Sequence, residues 1–189
     1  MFGRNTTITA ALLLAGLGAT AYAQQEGFGF GTEPSAEEIA GWDIDVRGSD
    51  GAGLPEGEGD VKRGRDVFME QCAACHGARG EGEPMEPLQG GVNSLDGDDP
   101  QKTIGSYWPY APILFDYTRR AMPMHAPQSL SNDDVYAVTA FMLFLNELVP
   151  EDAVMNAETL PQVEMPNRDG FVDDPRPDVA NVPCIGNCP

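Results

Sequence analysis

Cys72-Ala73-Ala74-Cys75-His76 is a C-x-x-C-H pentapeptide, and it constrains this chain more than any other feature. Two thiols at that spacing can add to the two vinyl groups of one porphyrin, and the histidine that follows can sit under its iron as proximal ligand. A thioredoxin-like redox pair would need neither the histidine nor this context. The pattern therefore predicts one covalently bound haem c, with Cys72 and Cys75 as anchors and His76 as a metal ligand.

The N-terminus supports that reading. Arg4 followed by the apolar run Ile8–Ala19 and by Ala21-Tyr22-Ala23 has the order of a secretory signal, predicted to be cleaved after Ala23. The run is too short to span a bilayer, which takes about 20 residues. Covalent haem attachment of this kind is completed outside the cytoplasm, so a periplasmic chain without a membrane span after signal removal is expected. Removing the leader removes Arg4 and leaves ten basic side chains against thirty acidic ones. So acidic a surface argues against nucleic acid and against anionic lipid. It suits an electrostatically steered encounter with a partner bearing a basic patch.

The chain reads as a signal (1–23), an N-terminal extension (24–59), a haem domain (60–149) and a proline-rich C-terminal extension (150–189). The first extension is Gly-, Pro- and acid-rich, with one helical turn at Ser35–Ala40. Asp60 is a candidate N-cap for a helix to Cys72, with Val61, Phe68 and Met69 at helical spacing. Gly64 in that helix permits close approach of another, with Phe68, Tyr136 and Phe141 as packing partners. A second helix is expected over Ala111–Ala121, and Ser131-Asn132-Asp133-Asp134 caps a third, apolar helix to about Leu148. Beyond Pro150 an extended chain is expected, wrapping the haem domain or clasping another subunit.

A second axial ligand must come from a loop on the far side of the porphyrin. Met122 and Met124 flank Pro123 between two predicted helices, and a thioether there would give an electron-carrier haem. Met122 is preferred because Pro123 fixes the backbone after it; Met124 is the alternative and His125 a third choice. Pro87 is the expected backbone acceptor for the second ring nitrogen of His76. Tyr107, Trp108 and Tyr110 are candidates to wall the porphyrin, and Arg119 or Arg120 to pair with a propionate. Cys184 and Cys188, with a Gly-Asn turn between them, are expected to form a disulfide in an oxidising compartment.

With Cys72–His76, Met122-Pro123 and a closing helix, the chain resembles a class I cytochrome c. Ile104-Gly105-Ser106-Tyr107-Trp108-Pro109-Tyr110-Ala111, Arg120-Ala121-Met122-Pro123 and Met165-Pro166-Asn167-Arg168-Asp169-Gly170-Phe171 resemble, more narrowly, the SoxD-type cytochrome subunits. So do Phe115-Asp116-Tyr117, Ala126-Pro127-Gln128-Ser129-Leu130 and Trp42-Asp43-Ile44-Asp45-Val46. The resemblance implies an all-α class I cytochrome c fold, three to five helices around one haem, with long irregular extensions. It implies His76 and Met122 as iron ligands, and a molybdenum-cofactor sulfur (sulfane) or sulfite dehydrogenase subunit as partner. On this reading the chain passes single electrons onward to a downstream cytochrome c and is not a catalyst by itself. A freestanding carrier between respiratory complexes is the alternative. A haem enzyme is weaker still, because a methionine ligand would close the position such chemistry needs.

Overall fold

The computed structural model describes residues 30–176, so the leader at 1–23 and the Cys184–Cys188 pair lie outside the described residues. The chain divides into two compact units, 1–41 and 42–189. In the first, Ser35 and Glu38 form a reciprocal capping box: the Ser35 N–H donates to the Glu38 carboxylate (2.7 Å), and the Glu38 N–H to Ser35 Oγ (3.1 Å). This opens α1 (Ala36–Trp42), of which no residue is buried.

The second unit is built on two helices that cross. Asp60 caps α2 (Val61–Gln71) by accepting from the Arg63 N–H at 2.7 Å. Its buried face is Val61, Gly64, Val67 and Phe68, whereas Met69, expected on that face, is exposed. A one-turn helix, α3 (Ala73–His76), follows a kink at Cys72. Helix α4 (Ala111–Ala121) has the bounds expected from sequence. Helix α5 (Asn132–Leu145) is capped by Ser131, whose Oγ accepts from the Asp134 N–H at 3.1 Å, and is buried continuously from Val135 to Leu143.

Helices α2 and α5 meet at Gly64. A Cβ there would fall on the Ala137 carbonyl and lie 2.8 Å from Phe141 Cβ. The contact is extended by an edge-on pair of Phe68 and Phe141, centroids 5.3 Å apart. Tyr136 packs tilted against Phe115 of α4, ring centroids 4.3 Å apart, and donates its hydroxyl to the Pro55 carbonyl at 2.8 Å. Burial pushes its phenol up to about 12, so it remains a donor at neutral pH.

A small antiparallel ladder was not foreseen. Strand β1 (Glu58–Asp60) pairs with β2 (Val154–Asn156), Gly59 opposite Met155. Beyond β2 the chain is not simply extended: it makes a 3₁₀ turn at Leu160–Gln162 and buries Met155, Leu160, Val163 and Met165 in the core that the helices form. Residues 150–165 thus wrap their own domain.

The end of α5 comes three residues before the expected one. Leu148 N–H returns to the Leu143 carbonyl (3.0 Å) and Glu147 N–H to that of Phe144 (2.9 Å), with Glu147 at φ +60°. This is a Schellman reversal with a glutamate at the position glycine usually fills. The left-handed conformation disfavours a Cβ, and a negative charge at a helix C-terminus is unfavourable. Glu147→Gly is therefore expected to raise stability by about 1 kcal/mol, read as a higher denaturant midpoint at unchanged slope. Among the described residues no helix is long and apolar enough to cross a membrane.

Candidate haem-binding site

The backbone gathers the motif into one turn. Both Cys75 N–H and His76 N–H donate to the Cys72 carbonyl at 3.0 Å, and Gly77, at φ +80°, ends the turn. Cys72 is half-buried and packed against the core, while Cys75 is exposed, and the two thiols are not joined. Burial, and secondarily the neighbouring Cys75, pushes the Cys72 thiol up to about 11. A redox dithiol needs the opposite, a lowered pKa that exposes thiolate. Among the described residues no group of three or more His, Cys, Asp or Glu is placed to hold a metal ion directly. What remains is a pair of thiols beside an imidazole, the donor set that covalent haem attachment uses.

Residues 77–88 fold back to hold that imidazole. Gly82 N–H reaches the His76 carbonyl and Met85 N–H the Cys75 carbonyl, both at 2.9 Å, and Leu88 N–H reaches Gly80 at 2.8 Å. His76 Nδ1 then lies 3.1 Å from the Glu86 carbonyl. A carbonyl only accepts, so Nδ1 carries the proton and Nε2 keeps its lone pair for a metal. The acceptor expected from sequence was Pro87; the structure moves it back one residue. Half-buried Pro87 still lies next to it, as the residue bonded to the Glu86 carbonyl carbon.

Opposite this loop in sequence, α4 delivers the methionines. Met122 is its C-cap, its N–H bonded to the Thr118 carbonyl at 3.0 Å. Met122 is half-buried, while Met124 and His125 are both exposed. Asp116, buried in α4, accepts from the Val46 N–H at 2.9 Å and from the Arg120 guanidinium through contacts of 2.6–3.0 Å. Arg119 donates to the Ile44 carbonyl at 3.2 Å. Both arginines proposed for a propionate also have partners within the protein, Arg120 on Asp116 and Arg119 on the Ile44 carbonyl, which help fix α4 and the 44–46 segment. The i, i+4 spacing of Asp116 and Arg120 was visible in the sequence; the burial of Asp116 was not.

The aromatic segment and the C-terminal strap, distant in sequence, meet. Asn167 Nδ2 donates to the Tyr107 carbonyl at 2.7 Å, and Phe171 packs edge-on against Tyr107 at 5.3 Å. Arg168 lies over the Tyr110 ring at 5.4 Å, while Trp108 packs against Tyr117 and the core.

A helical domain crossed at a glycine, with a paired-cysteine turn and a histidine on one loop and a capping methionine on another, defines a class I cytochrome c. Residues 61–146 match the Cytochrome c family. A chain in the crystal structure of the sulfane dehydrogenase SoxCD from Paracoccus pantotrophus is 45% identical to this one. Its TM-score is 0.73, and the match covers 86% of this chain and 82% of that chain. The thiosulfate dehydrogenase of Stutzerimonas stutzeri (strain A1501) is 28% identical over 93 residues. That match takes in 47% of this chain but only 28% of the thiosulfate dehydrogenase, so this chain spans well under two thirds of that relative. The chain belongs to the cytochrome c family, whose cofactor is a covalently bound haem c. It is an electron-transfer domain related to a sulfur dehydrogenase subunit.

Proposed function

We propose that this chain is the cytochrome subunit of a sulfur-oxidising dehydrogenase, taking single electrons from a molybdenum-cofactor subunit and passing them to a downstream cytochrome c. The observation that carries this is the reach of the similarity. The family match stops at residues 61–146, but the likeness to the SoxCD chain covers 86% of the sequence. It therefore extends into the extensions, where a free carrier has no need of shared sequence.

In this reading Cys72 and Cys75 anchor the haem, and His76 and Met122 ligate its iron. Bound there, haem c supplies a one-electron couple. The protein's own part is to hold His76 by its Nδ1 proton, to present Met122 from the end of α4, and to keep Trp108 and Tyr110 around the cofactor. The acidic surface steers a basic patch on the downstream cytochrome. Residues 1–23 direct the chain to the periplasm.

Co-expression with a sulfane dehydrogenase catalytic subunit tests the assignment. The expected result is a stable complex whose haem is reduced when sulfur substrate is added. A monomer that gains no electrons from that subunit would make the chain a freestanding carrier. The ligand assignment has its own test in the oxidised protein. Met122→Ala should remove the weak near-infrared absorption of a methionine–iron bond, and Met124→Ala should retain it. The reverse result would move the ligand to Met124.

A further inference from the structure

Asn146 is the C-cap of α5, and its side chain does more than a cap requires. Its Nδ2 donates to two carbonyls, that of Met142 in its own helix at 2.9 Å and that of Leu88 in the proximal loop at 3.2 Å. A side-chain amide has two N–H donors, and both are used. Its Oδ1 is buried without a partner, above Gly105, where a Cβ would collide with it. Leaving a buried amide oxygen unpaired is unfavourable, so packing alone would favour a leucine here. The two donated bonds are the reason for the amide.

The Leu88 carbonyl lies two residues from the one that binds His76. Leu88 is further pinned by its own N–H to Gly80 and, through its carbonyl, by the Ile104 N–H at 3.3 Å. The Schellman reversal at Glu147 and Leu148 fixes the end of α5 from which Asn146 reaches. A rigid helix end therefore grips the loop that carries the Glu86 carbonyl. We infer that Asn146 is a positioning residue for His76, setting through residues 86–88 the hydrogen bond that orients the imidazole. The inference rests on His76 being the proximal haem ligand.

A well-made Nδ1–H bond to a carbonyl makes the imidazole a stronger donor and favours oxidised iron. Loosening the loop weakens that bond, so the reduction potential should rise. Asn146→Leu keeps the branched four-atom outline with bulkier methyl groups and loses both donors; Asn146→Asp keeps the shape and turns acceptors toward two carbonyls. The Asn146→Leu holoprotein is expected to show a raised midpoint potential, and both holoproteins an exchange of the His76 Nδ1 proton with solvent at least tenfold faster, read by NMR. In the parent, the Asn146 amide protons should be protected from exchange, a measurement that stands even if neither variant folds. A folded Asn146→Leu with parental potential and parental Nδ1 exchange would overturn the inference, as would unprotected amide protons in the parent. Failure of the underlying ligation would appear separately, as a parent holoprotein without a histidine-ligated haem spectrum.

Discussion

A Cys72→Ala, Cys75→Ala double variant is expected to give up its haem to acidified organic solvent, while the parent retains its colour with the polypeptide. Among the described residues the two sulfurs are the only thiols, and the turn that carries them is closed by the bonds from Cys75 and His76 to the Cys72 carbonyl. His76 survives the substitution, held by the Glu86 carbonyl, so the variant can still bind haem reversibly. That changes the thermodynamics in a way that can be measured. A tethered cofactor stays with the unfolded chain, so the parent's denaturation midpoint should not depend on added haem. In the variant, binding favours only the folded state and the midpoint should climb with free haem, by about 2.7 kcal/mol at a hundred times the dissociation constant. Were the parent also to lose its haem to solvent, the attachment would not be through these thiols.

How much of this was legible in the sequence depended on whether the deciding interaction was local. Asp60 and Ser131 announced the starts of α2 and α5 because an N-cap bonds only two or three residues ahead. Helix α4 was legible at both ends, with Pro112 in its first turn and Pro123 just beyond. The end of α5 was not, because the left-handed residue there is Glu147 and neither glycine nor asparagine marks it. The β1–β2 ladder joins segments nearly a hundred residues apart, and three-residue strands carry no alternation to read.

At the site the same division holds. The attachment motif is contiguous, so Cys72, Cys75 and His76 could be picked out directly as one turn. The acceptor for His76 depends on how residues 77–88 fold back, and it proved to be Glu86 and not Pro87. Arg119 and Arg120 looked free for a propionate because Asp116 and the Ile44 carbonyl become their partners only when the 44–46 segment docks on α4. Asn146 carried no signal at all. Its importance comes from meeting Leu88 across 58 residues of chain.

Gly64→Ala should be among the most destabilising single substitutions in the domain. In an ordinary helix interior the change is favourable by roughly 0.5–1 kcal/mol, because alanine has less backbone freedom to lose. Here the sign reverses. The new methyl would fall on the Ala137 carbonyl oxygen and within 2.8 Å of Phe141 Cβ, and neither is the movable tip of a long side chain. Ala137 is itself confined from the other side, since a Cβ on Gly59 of β1 would also strike it. Helix α5 cannot retreat from α2 without pressing on the β1–β2 ladder, and separation would undo the Phe68–Phe141 contact. Overpacking a tight core costs about 1–3 kcal/mol, and contact with backbone on two sides places this site at the top of that range. Denaturant unfolding of the holoprotein should show a loss of about 3 kcal/mol for Gly64→Ala, against less than about 0.5 kcal/mol for Met69→Ala on the exposed face of the same helix. Equal midpoints for the two variants would mean that α2 and α5 do not cross at Gly64. The turn bearing Cys72 and His76 would then lack the rigid base from which α2 presents it.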